Sequence, residues 1–372
     1  MCGISGIIDL KNRPVSEDSI RHINDLIAHR GPDGEGFYFG NTFAIAHRRL
    51  SILDLSEAGH QPMSYLEDKY TITYNGEIYN YIEIRNELIK EGYTFQSDSD
   101  TEVILATYDK YGSSCVKHFN GMWSFAIYDK IKNVLFCSRD RFGIKPFYYT
   151  VCEDQFVFGS EIKQLIPFQK TVQYNHQVLL DYLIGGFEEC TNDTFFKHIF
   201  KLEQGHNMVY DLATHKFEIL PFYEINIDEK LAQYNEEDAV ALYGQKLEDS
   251  VRLRMRSDVE VGVCLSGGLD SSSVASIAAA HLKKDKNGVI NAIHAKSTEK
   301  ATDESNFAKI VAEHCNAKLN EVTPSYDDFK RVLETVIKGQ EEPFGSPSII
   351  MQYFVLQEAR AKNCIVMLDG QG

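Results

Sequence analysis

The residues with chemistry to offer begin at position two. Cys2 follows Met1, and a side chain that small permits removal of the methionine. The thiol and a free α-amine would then share one residue. An α-amine has a reference pKa of about 7.7–8.0, so a useful fraction is neutral near physiological pH. It can take the thiol proton, as a terminal amine does for threonine nucleophiles, and the thiolate is the attacking species. A second segment, Ser266–Ser271, reads SGGLDS. Its two glycines let the backbone approach a ligand closely. A helix beginning there would turn amides, hydroxyls and its positive end toward an anion. Neither G-x-G-x-x-G nor a Walker loop is present, so a dinucleotide fingerprint is not indicated.

These groups need elements to hold them. In the first half, Tyr70–Tyr74, Trp123–Tyr128, Val134–Ser138 and Phe156–Gly159 read as strands, and Ser19–Ala28, Tyr81–Glu91 and Thr101–Tyr111 as helices. That mixture implies stacked sheets covered by helices. A polar stretch at Asp228–Asp238 reads as an interdomain boundary. Beyond it helices and strands alternate: helix Ala239–Met255, strand Glu260–Leu265, helix Ser271–Lys283, strand Ile290–Ala295, helix Ser305–Cys315, helix Tyr326–Lys338, helix Ile349–Lys362 and strand Ile365–Leu368. This is the texture of a parallel α/β sheet, whose ligands bind at the carboxyl ends of strands. The sequence stops just past the last of these strands, which leads to the expectation of a fragment or truncated product.

Bulk properties narrow the function. The 372 residues carry a formal net charge of −16, which repels nucleic-acid phosphates. No apolar run approaches the roughly 18–20 residues of a membrane span, and the amino terminus lacks the basic region and cleavage pattern of a signal peptide. A cytoplasmic protein with no membrane or nucleic-acid partner is the expectation. The eight cysteines include no C-x-x-C pair and are irregularly spaced, against a zinc ribbon or disulfide framework. Apart from Cys2, most read as small buried hydrophobes.

Several further motifs occur in order: MCGISG at the start, HRGPD at His29–Asp33, HRRLSI at His47–Ile52, NGEIYN at Asn75–Asn80, DSDTE at Asp98–Glu102, RDRFGIKPFYY at Arg139–Tyr149 and GSEIK at Gly159–Lys163. Together they resemble the class II glutamine amidotransferase domain, over roughly residues 2–223. The resemblance implies an α+β N-terminal-nucleophile hydrolase sandwich, with stacked antiparallel sheets flanked by helices. It implies that Cys2 is the nucleophile and that the Asn75 amide and Gly76 backbone N–H form the oxyanion hole that amide hydrolysis needs. A guanidinium suits the α-carboxylate of glutamine and carboxylates suit its α-ammonium. Arg49 matches the first role, Glu77 and Asp100 the second. Hydrolysis would pass through a γ-glutamyl thioester. Arg30, Asp33, Arg141 and Lys145 read as structural ion-pair or loop residues.

SGGLDS resembles the pyrophosphate loop of ATP pyrophosphatases. A class II glutaminase followed by this loop is similar to the glutamine-hydrolysing asparagine synthetase family, with a second, C-terminally incomplete α/β parallel-sheet domain over 237–372. Asp303–Glu304, EPFGSPS at Glu342–Ser348 and VMLDGQG at Val366–Gly372 extend the likeness. The resemblance places ATP at Leu265, Ser266, Gly267, Gly268, Asp270, Ser271, Ala295, Asp369 and Gly370, with Asp270 contacting Mg²⁺. The segment IHAKS departs from the family's aromatic-rich strand, and Gln204 replaces a proline common before its Gly-His. The implied reaction adenylates aspartate with ATP and amidates it with ammonia from glutamine, giving asparagine, AMP and pyrophosphate. The resemblance also allows a homodimer. Other amidotransferases with the Cys-first domain, such as glucosamine-6-phosphate synthase and amidophosphoribosyltransferase, lack SGGLDS. Two alternatives stay open: an asparagine-synthetase-like enzyme acting on another carboxylate, and a shortened chain that hydrolyses glutamine but makes little or no asparagine unaided.

Overall fold

A computed structural model describes residues 1–188, 190–286, 288–301 and 303–370. It divides into two compact units, residues 1–225 and 226–372.

The first unit holds twelve strands: β1 (Gly3–Asp9), β2 (Gly34–Phe39), β3 (Phe43–Arg49), β4 (Met63–Tyr65), β5 (Tyr70–Ile78), β6 (Gly121–Asp129), β7 (Val134–Arg139), β8 (Tyr148–Cys152), β9 (Gln155–Gly159), β10 (Phe200–Lys201), β11 (His206–Asp211) and β12 (Phe217–Pro221). They form two antiparallel sheets, in order β10-β8-β9-β1-β3-β2 and β12-β11-β7-β6-β5-β4. Side chains alternate faces along each strand, and both faces of β1 are buried. Ile4 and Ile8 pack with Ala126, Cys137 and Met208 of the facing sheet. Ile7 turns the other way, onto Ile20 and Ile23 of α1 (Glu17–Asp25). Beyond the second sheet, Ile84 and Leu88 of α2 (Tyr81–Lys90) and Val103 and Leu105 of α3 (Asp100–Tyr111) cover Ile72, Tyr74 and Phe125. The unit is therefore a helix–sheet–sheet–helix sandwich, as expected for stacked sheets flanked by helices. A further helix, α4, spans His176–Gly185.

The second unit opens with α5 (Glu236–Arg254). A parallel sheet follows, of β13 (Val261–Cys264), β14 (Asn291–Ala295), β15 (Lys318–Val322) and β16 (Val366–Leu368), ordered β15-β14-β13-β16. The intervening helices are α6 (Leu269–Lys286), α7 (Ser305–Cys315), α8 (Tyr326–Gln340) and α9 (Ser348–Ala361). Ala292 faces Ala278 and Ala308 of α6 and α7, whereas its neighbour Ile293 faces Val355 and Ala359 of α9. Helices thus cover both faces of the parallel sheet. The chain runs outward from β13 through β14 to β15 and then returns to the far side as β16. The carboxyl ends of β13 and β16 consequently flank a topological switch point, where such sheets leave a crevice.

Some expectations are corrected. The strand expected at Tyr70–Tyr74 is longer: β5 runs on to Ile78 and pairs Asn75–Glu77 with Ser124, Trp123 and Met122. The cysteines are less uniformly buried than expected: Cys115, Cys137 and Cys364 are buried, Cys152, Cys264 and Cys315 partly so, and Cys190 is exposed. Gln371 and Gly372, the end of VMLDGQG, lie outside the described residues. No helix among those described is long and apolar enough to cross a membrane.

Candidate active sites

Cys2 precedes β1 and is anchored from two sides. Leu50, just past β3, offers its N–H 3.3 Å from Cys2 Sγ and its carbonyl 3.5 Å away. Arg30 donates from Nε to the Cys2 carbonyl at 2.8 Å and from Nη1 to Glu161 at 2.9 Å. Glu161 also meets His29 at 3.0 Å and Lys163 at 2.8 Å. Burial pushes the Glu161 carboxyl up, but hydrogen bonds from His29 and Lys163 and the charge of Arg30 outweigh it and hold it at about 2.

Cys2 opens onto a cavity of about 60 Å³ whose lining includes Arg49, Asn75, Gly76, Glu77 and Asp100, with Met1 and Lys145. All six residues assigned from the sequence to glutamine chemistry therefore meet at one place. The elements explain the convergence. Strand geometry puts Asn75 and Glu77, two apart on β5, on one face. Arg49 ends β3, and its guanidinium donates to the carbonyls of Asp54 and Ser56 in the following loop. A Cβ at Gly59 would stand 2.2 Å from Arg49 Nη2, so glycine there makes room for the guanidinium. Asp100 begins α3 and accepts at Oδ2 from the Tyr74 hydroxyl and the Ile78 N–H, both at 2.8 Å. Burial raises its carboxyl to about 6 against those hydrogen bonds.

Asn75 is 1 % exposed, and its buried Nδ2 has no hydrogen-bond partner among the described residues. Orphaned buried donors are rare in folded proteins and costly. This one lines the Cys2 cavity, where it can meet an oxygen of a bound acyl group. At Gly76 an added Cβ would strike the Met122 carbonyl at 2.2 Å and Trp123 Cα at 2.8 Å. Its missing side chain admits β6, not a ligand.

Lys145 lies in a loop, as the sequence suggested, but it is only 5 % exposed and lines the cavity. Asp140 templates the turn that puts it there: Oδ1 accepts from the N–H groups of Phe142 and Ile144, and Oδ2 from those of Trp123 and Lys145. Burial leads the causes that lower its ammonium to about 8. Asp33 and Arg141 do have structural partners. Asp33 accepts from the Ser51 N–H, and Arg141 lies over Trp123 and Tyr223 and donates to the Phe119 carbonyl.

The amino terminus shares this environment. Burial, aided by Arg30 and Lys145 against the opposing Cys2, lowers its pKa to about 6. The Cys2 thiol is raised by burial; the Leu50 N–H, the amino terminus, Lys145 and Arg30 act the other way.

In the second unit, a cavity of about 350 Å³ sits at the switch point. It is lined by Leu265, Ser266, Gly268, Asp270, Ser271, Ala295, Asp369 and Gly370, among others. Gly267 has φ +93°, and a Cβ there would meet the Ala308 N at 2.7 Å, so only glycine fits between the loop and α7. Gly370 likewise rests on the first turn of α6, its added Cβ 2.5 Å from the Ser271 N. The Ser266 and Ser271 hydroxyls are 2.9 Å apart, and Ser266 Oγ accepts from the Gly268 N–H at 3.2 Å. The first amides of a helix have no intrahelical acceptor, and Leu269, Asp270 and Ser271 of the first turn of α6 line the cavity. Leu265 is fixed by β14: its N–H donates to the Ile293 carbonyl at 2.9 Å, and its carbonyl accepts from His294 Nδ1 at 2.8 Å. Of the nine residues assigned to ATP, all but Gly267 line this space, and Gly267 holds the loop's turn.

A sandwich with a cysteine at its amino-terminal strand and a parallel sheet with a glycine loop define a two-site protein. Residues 1–223 match the glutamine amidotransferase domain family and residues 242–372 the asparagine synthase family. A Methanocaldococcus jannaschii relative, whose name assigns it to the glutamine-hydrolysing asparagine synthetases, is 38 % identical over 100 % of this chain and 74 % of its own length. Asparagine synthetase [glutamine-hydrolyzing] 1 of Bacillus subtilis is 36 % identical over 100 % of this chain and 58 % of its own. A Penicillium rubens protein named amidase chyE is 28 % identical, over 100 % and 58 %. The chain belongs to the glutamine-hydrolysing asparagine synthetase family. It spans between about half and three quarters of the length of these relatives.

Proposed function

We propose that the chain carries the two half-sites of glutamine-dependent asparagine synthesis. At the first, the Cys2 thiolate attacks the carboxamide carbon of glutamine. The Asn75 amide and Gly76 N–H stabilise the oxyanion, ammonia leaves, and water releases glutamate from the thioester. Arg49 holds the substrate carboxylate, and Glu77 and Asp100 hold its ammonium. Met1 borders the cavity, and about 60 Å³ has room for a few waters but not glutamine. Removal of Met1 both frees the Cys2 amine and enlarges the site. At the second half-site, ATP adenylates the β-carboxylate of aspartate and ammonia displaces AMP. The loop at Ser266–Ser271 and the first turn of α6 suit the phosphates. Among the described residues there is no group of three or more His, Cys, Asp or Glu side chains able to hold a metal by themselves. Mg²⁺ would instead be shared between Asp270 and the phosphates, the usual manner for this ion, and would supply charge neutralisation there.

The observation that carries the reading is the unpartnered Asn75 Nδ2 in the cavity with Cys2. The test pairs two assays: glutamate release by wild type, Cys2→Ala and Asn75→Ala, and AMP release across a panel of carboxylates with ammonia supplied. Loss of glutamate release in Cys2→Ala supports the first half-site, and full retention sinks it. AMP release specific to aspartate supports the second, and a preference for another carboxylate reassigns the acceptor.

A further inference from the structure

We propose that the Lys145 ammonium is the cation that activates the Cys2 thiol. The inference rests on the glutaminase reading of the Cys2 cavity. A buried ammonium needs a partner, because an uncompensated charge inside a protein is costly. Yet the one hydrogen-bond contact of Lys145 Nζ among the described residues is the thioether of Met1, 3.0 Å away. A thioether is a weak acceptor, and it leaves with Met1. The ammonium is then left inside the cavity of the nucleophile.

The groups around Cys2 single out Lys145. The amino terminus and Arg30 act on the thiol together with Lys145. Arg49 from β3, Glu77 from β5 and Asp100 from α3 line the same cavity. Asp33 acts on the amino terminus, and Glu77 and Asp140 act on Lys145. The terminal amine must start neutral to accept the thiol proton, so before the transfer it supplies no positive charge to the thiol. The Arg30 charge is spent on Glu161, 2.9 Å away. Arg49 is held by the carbonyls of Asp54 and Ser56, toward the substrate carboxylate. Lys145 forms no direct ion pair among the described residues, and its attraction opposes the burial that raises the thiol. As the proton passes from Cys2 to the amine, the ammonium balances the thiolate left behind.

The test follows the rate of Cys2 alkylation by iodoacetamide against pH, read on the amino-terminal peptide by mass spectrometry after Met1 removal is verified. Wild type is compared with Lys145→Met, of similar length and no charge, and Lys145→Arg. A neighbouring cation lowers an acid's pKa by about one unit or more. Lys145→Met should therefore slow alkylation at near-neutral pH by about three- to tenfold, with the rates converging in alkali where both thiols are ionised. Lys145→Arg should stay within about twofold of wild type. If Lys145→Met does not fold, Lys145→Gln serves in its place. Equal neutral-pH rates in wild type and the uncharged variant overturn the proposal, as does an Arg variant as slow as the uncharged one. Glutamate release from the same samples separates the two claims. A thiol that responds to Lys145 in a chain releasing no glutamate sinks the glutaminase reading alone. An active chain with an unresponsive thiol sinks this inference alone.

Discussion

Under the proposed glutaminase reading, Asn75 and Asp100 make opposite demands on the Cys2 cavity. Asn75 presents a buried donor with no partner among the described residues, and in the proposed oxyanion role its contribution would fall in the transition state. Asn75→Ala should lower kcat by about 10²–10³ with little change in KM, the usual cost of one oxyanion donor; a change confined to KM would assign the amide to substrate binding instead. Asp100 has its carboxyl raised to about 6, chiefly by burial, and must be ionised to hold an ammonium. As pH falls through about 6 it takes up a proton, and kcat/KM for glutamine should fall with it. Asp100→Asn should have lower kcat/KM throughout and lose that acidic limb. An unaltered limb in the variant would assign the titration to another group. Most of these residues were legible in the sequence as motif matches. Lys145 read only as a structural ion-pair or loop residue, because its place in the cavity depends on the four backbone amides gathered by Asp140.

At the scale of elements, the Glu161 cluster ties the start of β1 to the segment after β9. The Glu161 carboxyl is held at about 2, below the ordinary carboxylate range. Its folded pKa lies under its unfolded one, so its contribution to stability is present above the unfolded value of about 4.3 and is lost as pH falls toward 2. Glu161→Gln should destabilise the first unit by about 2–4 kcal/mol near neutral pH, since it leaves Arg30 buried without its counter-charge. Chemical denaturation measures this, and a shift under about 0.5 kcal/mol, the range of ordinary surface changes, would contradict it. Strand β1 illustrates what patterning conceals. All seven of its residues are buried, so no polar face marks the period of two that strands bordering solvent display. Strand β5 runs past the Tyr70–Tyr74 stretch that its β-type residues mark. Its continuation through Asn75–Ile78 depends on pairing with Gly121–Ser124, a contact far away in sequence. In the second unit the alternation of helix and strand was legible. The omission there was β15, Lys318–Val322, whose polar Lys318, Asn320 and Glu321 fit an edge strand.

For the molecule as a whole, two units with separate chemistries imply separable losses. Changes at the nucleotide loop should leave glutamate release intact. Asp270→Asn should weaken ATP binding about tenfold in the presence of Mg²⁺ and little in its absence, measured by calorimetric titration. Equal weakening under both conditions would place Asp270 on the nucleotide rather than the metal. Changes at Cys2 should abolish the use of glutamine while ammonia still supports AMP release. The measurement that bears most directly on the account is glutamate release by the processed wild type and by Cys2→Ala, with the amino-terminal mass of each determined. The account predicts Cys2 as the first residue of active protein and a fall of at least about 10³-fold in the variant. Wild-type turnover by Cys2→Ala, or by chains that all retain Met1, would contradict it.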